Sequence, residues 1–231
     1  MFKYRYNRID LVGKTTCYFC RRPLSAGKAY ILNPESSGID VISGPTCAVK
    51  NAGKAPPKLP DYTKAERHAL SSATPQPSTD TSNSYTTAFE YLTYRMQKLT
   101  DFDDVFFVEL KPVWKRVNNG LFDNHDEVYV ERLMNKADKS MPLLTLSNLN
   151  TCYLFAFWLK QYLLVDNSPS VSFIQSLYGK LQDNLYLTQK QITSINTIFE
   201  KKEGFPELNI SAFTEAVKAD AKQRPWKFEK S

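Results

Sequence analysis

Histidine is almost missing from this chain: His68 and His125 are the two in 231 residues. That leaves little scope for imidazole acid–base chemistry. Glycine is scarce too, at eight residues, and no phosphate-binding Gly loop, Gly-x-Ser-x-Gly or His-Glu-x-x-His occurs. Asp101, Asp103 and Asp104 form a carboxylate cluster, but acids at a helix start suit the helix dipole without any metal. No catalytic constellation is recognisable, and the chain reads as a non-enzyme. Long apolar runs are also lacking. The most apolar stretch, 151–165, is interrupted by Lys160 and Gln161 and is too short to span a bilayer. The first ten residues are too charged to hold the apolar centre of a signal peptide. A cytoplasmic protein with no membrane partner is therefore expected, and no small-molecule substrate is indicated.

Cysteine is also sparse, but its placement is informative. Three of the four cysteines, Cys17, Cys20 and Cys47, fall within the first fifty residues. In a reducing compartment, clustered cysteines more often mean metal than disulfides. A Cys-x-x-Cys knuckle lets two thiolates reach one tetrahedral ion, and a third cysteine on a later turn closes over it; Zn²⁺ is the expected ion. A ribbon would place a fourth cysteine at position 50, where this chain has Lys50. The fourth ligand is left open between His68, an acid such as Asp40, and water. Cys152 sits in the middle of the apolar stretch and reads as a core residue. A redox-active pair would sit at a helix start within a βαβ unit, and nothing near residue 17 has that pattern.

Charge is unevenly placed. Residues 1–64 carry eleven Lys/Arg against four acids, a balance of +7, while the whole chain carries +6. A local field of that sign concentrates polyanions. The candidate nucleic-acid contacts are Lys3, Arg5, Arg8, Arg21, Arg22, Lys28 and Lys50, with Tyr18 and Phe19 interleaved. Aromatic faces for bases beside cations for phosphates are the ingredients of single-strand binding. The competing reading makes these aromatics the core of a small metal-stapled module. The C-terminus repeats the theme with Arg224, Trp226 and Lys227, a tail contact for its own domain, a partner protein or nucleic acid.

The expected fold class is α+β, predominantly α. Residues 1–54 read as a zinc-knuckle module of short strands and turns, with a short helix from Pro45 or Thr46 that stops at Gly53. Residues 55–85 are rich in Pro, Ser and Thr and read as a linker. Residues 86–223 read as an all-α domain with helices near 86–99, 103–119, 124–136, 147–164, 171–184, 188–202 and 211–223. Residues 224–231 are a basic aromatic tail. A weak repeat aligns 120–136 with 185–201, matching Asp123 to Thr188 as caps and Asp126 to Gln191, which would make the helical domain a duplicated three-helix unit.

CYFCRRPL followed by GPTCAVK resembles a small zinc-finger-like domain of uncharacterised phage, plasmid and actinobacterial proteins. Its pattern reads Cys-x-x-Cys-Gly-Arg-x-Leu, then Gly-Pro-x-Cys-Ala-x-Lys. Cys17, Cys20, Arg22, Leu24, Gly44, Pro45, Cys47, Ala48 and Lys50 match it, over about residues 15–52. Arg21 stands where glycine is usual, and the gap before Gly44 is longer than usual. The resemblance implies metal binding and an association with DNA-handling proteins, hence a viral or mobile-element protein acting in the host cytoplasm. The expected function is a zinc-containing, nucleic-acid-binding accessory protein, DNA ahead of RNA. The alternative is a protein-interaction adaptor or inhibitor whose helical domain grips a host or viral enzyme. Limited proteolysis is expected to cut first between about 70 and 85; first cuts within 100–200 would contradict the two-part organisation.

Overall fold

A computed structural model describes residues 3–24, 27–34, 38–64, 84–99 and 105–223. Its described residues fall into two compact units, one formed by those up to Lys64 with 84–90 and the other by those from Tyr91 onward. The fold is α+β and predominantly α, as the composition and periodicity imply.

The first unit is built on strands β1 (Tyr4–Leu11), β2 (Thr15–Thr16), β3 (Pro23–Leu24), β4 (Lys28–Pro34) and β5 (Val41–Ser43), followed by helix α1 (Pro45–Ala52). An antiparallel sheet runs β1-β4-β5, and β2 pairs with β3 as a separate ribbon. The bulky/charged alternation of β1 is that of a strand with one face covered. A register shift between Tyr6 and Arg8 lets Tyr6 face Leu32 and Arg8 face Ile31. Val12, Ala29 and Ile31 form a small core, with Leu24 and Ile42 packed on it. Helix α1 packs against β1 and β4, and Tyr6 Oη donates to the Gly53 carbonyl at 2.7 Å where that helix ends. Gly53 stops the helix at φ 76°, a conformation that glycine adopts without steric cost.

The expected linker begins too early. Ile9 N–H donates to Pro60 O at 2.8 Å, and Tyr62 N–H donates to Ile9 O at 3.0 Å. Tyr62 is buried, at 1 % exposure. The outer edge of β1 has unpaired backbone groups, and this stretch supplies them with partners while Tyr62 fills the core. A single aromatic among prolines and lysines is too thin a signal to reveal that from sequence. The rest of the expected linker, 65–83, and the tail 224–231 lie outside the described residues.

The second unit contains the end of α2 (Ser84–Thr93), which continues into a π-helical turn (Tyr94–Lys98). Helices α3 (Val105–Asn118) and α4 (Asn124–Ser140) follow, then a 3₁₀ turn (Pro142–Leu144). The chain continues through α5 (Leu146–Val165), α6 (Ser170–Asn184), α7 (Gln189–Phe199) and α8 (Glu215–Gln223). Pro112 lies inside α3 on its exposed side, where the backbone group it leaves unpaired is open to solvent. Helix α5 buries a broad face that includes Leu149, Cys152, Phe155, Leu159 and Tyr162. It supplies much of this core, while Lys160 and Leu164 on its other side are exposed. Among the described residues no helix is long and apolar enough to cross a membrane.

Both halves of the aligned repeat form capping boxes, Asp123 with Asp126 before α4 and Thr188 with Gln191 before α7. Glu127 and Val130 occupy buried positions matching Ile192 and Ile195. The preceding helices are out of step: Phe106, Leu110 and Val113 are buried in α3, whereas α6 buries Ile174, Leu177 and Leu181, two to three residues beyond the repeat offset. The expected helices 188–202 and 211–223 are shorter than read. Gly204 at φ 88° and Pro206 interrupt them, and both the N–H and the carbonyl of Leu208 bond to the Asn196 side chain. That irregular stretch packs Phe205 on Trp158, Tyr162 and Phe199, and Phe213 on Phe155.

Thr188→Ala removes the cap of α7 and is expected to lower stability by about 1 kcal/mol, with Thr188→Asn much nearer the parent. Denaturant melts of both variants check this.

Candidate metal centre

Three local features bring the cysteines together. First, β2 and β3 clamp the knuckle, with Thr15 opposite Leu24 and Thr16 opposite Pro23. Second, the turn closes on itself: Arg21 N–H donates to Cys17 O and Cys17 N–H to Arg22 O, both at 2.9 Å. Third, Tyr18 N–H donates to Ile42 O at 2.8 Å, which ties the knuckle to β5. Strand β5 leads within two residues to Gly44, the N-cap of α1, and Pro45 in its first turn. Cys47 follows on that turn, so the β5 tie carries it to the knuckle.

The Sγ atoms of Cys17, Cys20 and Cys47 all lie within 4.8 Å of one another. Cys17 is buried, Cys47 is half-buried and Cys20 is exposed. Burial alone would push the Cys17 thiol up. The backbone N–H groups of Cys20, Gly44 and Phe19, with the Cys20 side chain, outweigh it and hold Cys17 at about 6. Cys47 goes the other way. Its hydrogen bond with Cys20, then burial, then contact with Cys17, push it up to about 11. Three crowded thiols cannot all ionise alone, and a dication resolves that conflict while the converging N–H groups carry part of the sulfur charge. The residues present fit a thiolate-bound metal ion.

Arg21 closes the turn in a strained conformation. Its φ is 60°, the left-handed region in which glycine is at ease. An arginine there costs roughly 1–2 kcal/mol.

Several expected site residues fall elsewhere. Asp40 is not with the sulfurs: its carboxylate takes Arg8 Nη1 at 2.8 Å and Asn7 Nδ2 at 3.1 Å. Arg8 is correspondingly not a free phosphate contact, since its Nε also pairs with the buried Asp10 at 2.9 Å. Those two carboxylates outweigh the cost of its partial burial and raise its pKa. Lys3, Arg5, Arg21, Arg22, Lys28 and Lys50 are exposed, Phe19 is half-buried, and Tyr18 is 45 % exposed. Cys152 is a core residue, donating to Leu185 O at 3.2 Å, with burial pushing its thiol far up. His68, Arg224, Trp226 and Lys227 lie outside the described residues. Among those described, the three thiols stand without a fourth His, Cys, Asp or Glu donor in their group.

A second juxtaposition, Asp123 with His125 and Asp126, is already accounted for. Both carboxylates cap α4, and Arg116 bridges them through Nε to Asp126 at 2.9 Å and Nη2 to Asp123 at 2.6 Å. The Asp123 carboxyl is held below its usual range by the Asp126 N–H first, then by His125 N–H and Arg116.

No protein-family model, curated protein or solved structure matches this chain. The reading of the site therefore rests on its own chemistry.

Cys17→Ser, Cys20→Ser and Cys47→Ser are each expected to strip most of the metal from protein purified without chelator. Cys152→Ser should keep the parent's metal content. Elemental analysis of the four variants beside the parent distinguishes these outcomes.

Proposed function

We propose that the protein is a zinc-organised nucleic-acid-binding accessory protein, with DNA its ligand ahead of RNA. In this reading Cys17, Cys20 and Cys47 hold one Zn²⁺, whose role is to fix the fold of the first unit rather than to react. Thiolates are soft ligands that suit zinc, and the three sulfurs lie within 4.8 Å of one another. The DNA preference follows from the likeness of CYFCRRPL and GPTCAVK to modules of DNA-handling proteins.

The observation that carries the reading is the cationic rim of the knuckle. Arg21 and Arg22 directly follow Cys20, and Lys50 lies one helical turn beyond Cys47; all three are exposed. Among the described residues no ion pair engages Arg22 or Lys50, in contrast to Arg8 with its two carboxylates. Cations held rigidly at a folded surface meet phosphates at lower entropic cost than cations on a free tail. The adaptor reading draws on a different surface, the exposed Val108, Val128, Leu164 and Phe173 of the helical unit.

Fluorescence anisotropy of the full chain against labelled DNA across a salt series tests the proposal. Affinity should fall steeply with salt, and Arg22→Ala and Lys50→Ala should each flatten the log–log slope by roughly one unit. Undetectable DNA binding at low salt, or binding that ignores salt, would reject it in favour of the adaptor.

A further inference from the structure

The turn after Cys20 needs a left-handed residue, and this chain places Arg21 there at φ 60°. Strain of this kind persists where the surrounding structure over-determines it, and it concentrates at functional sites. What the arginine does with the position is visible in its contacts. Its guanidinium lies over the ring of Tyr18, 5.4 Å from the centroid. Tyr18 in turn meets Phe19 edge to face at 5.3 Å, and Phe19 meets Tyr4 the same way at 5.0 Å. These four side chains form one continuous ladder from β1 to the tip of the knuckle. Its inner members, Tyr4 and Phe19, are half-buried and anchored; its outer members, Tyr18 and Arg21, are exposed.

The main chain beneath its outer end is anchored. Tyr18 is fixed through its N–H to Ile42 O, and Arg21 through its N–H to Cys17 O. Two exposed planar groups on a rigid turn, one of them a cation, suit a flat ligand that carries negative charge nearby. An unpaired nucleobase is such a ligand. In a duplex the base faces are covered by their neighbours, so a stacking surface can engage only a base that is free of the helix.

We propose that Tyr18 and Arg21 form a stacking seat for an unpaired base, so that the nucleic acid bound by the first unit is single-stranded DNA. The proposal rests on the nucleic-acid reading above and adds strand type and the residues that select it. Tyr18 supplies a π face, Arg21 a second planar face with charge, and Arg22 the phosphate contact beside them.

The test compares a labelled single strand with its duplex on the full-length protein at low salt. The parent should bind the single strand at least tenfold more tightly. Tyr18→Ala and Arg21→Gly should each weaken single-strand binding by about tenfold, and Arg21→Lys, which keeps the charge but not the plane, should fall with them. Arg22→Ala serves as the charge control and should weaken both strands alike, by less. Arg21→Gly is the deciding variant because glycine suits φ 60°: its metal content and thermal midpoint should match or exceed the parent's, which separates lost stacking from lost fold. If Tyr18→Ala and Arg21→Lys bind the single strand like the parent, or if duplex is bound equally well, the stacking seat is refuted while the nucleic-acid reading stands. If neither strand binds any of the proteins, the nucleic-acid reading itself has failed and takes this proposal with it.

Discussion

The first unit depends on the backbone hydrogen bonds that close the Cys17–Arg22 turn and tie it to β5. Cys17 N–H and Arg21 N–H close the turn at 2.9 Å each, and Tyr18 N–H donates to Ile42 O at 2.8 Å, which joins two segments far apart in sequence. In that turn the Cys17 thiol is held down at about 6 despite its burial, toward the charge state a metal needs. The same turn forces Arg21 into the left-handed region and fixes Tyr18 against β5. Metal site and cationic surface are therefore consequences of one local geometry. The β1-β4-β5 sheet is short and its apolar cluster compact, and the three cysteines that could hold a metal ion lie beside it.

The second unit is organised in the opposite way, by apolar burial around α5. Its polar features serve the helices. Asn148 donates to Leu143 O and Leu185 O, holding two helix connections to the central helix. Asp166 at the end of α5 pairs with Lys202 just beyond α7, and that cation, with the hydroxyls of Ser168 and Tyr162, holds its carboxyl far below the usual range. These contacts stitch loop to helix rather than build a cleft.

Charge shows why counting residues is not enough. Arg8 and Arg22 are equivalent in composition, yet Arg8 sits between Asp10 and Asp40 and contributes to the sheet, whereas Arg22 is exposed beside the knuckle. Lys64 likewise pairs with the buried Glu90 at 3.1 Å. The +7 excess read from the first 64 residues is therefore distributed between structural pairs and an exposed rim. Only the pairing decides which cations remain for a partner.

Much of this protein was legible in its sequence because the signals are local. Cap residues Asp123 and Thr188 set where α4 and α7 begin, since each side chain satisfies N–H groups within its own turn. The periodicity of apolar residues located α3 to α7 within a few positions, and the CxxC spacing with Gly44-Pro45 marked the three sulfurs. What required the tertiary structure is non-local. Pairing of residues 60–62 with the edge of β1 turned part of an apparent linker into structure, because an open strand edge attracts any extended neighbour. The Arg8 ion pairs needed a register in β1-β4-β5 that brings Asp40 alongside. The left-handed Arg21 and its contact with Tyr18 follow from closing a turn whose strain no residue-by-residue propensity expresses.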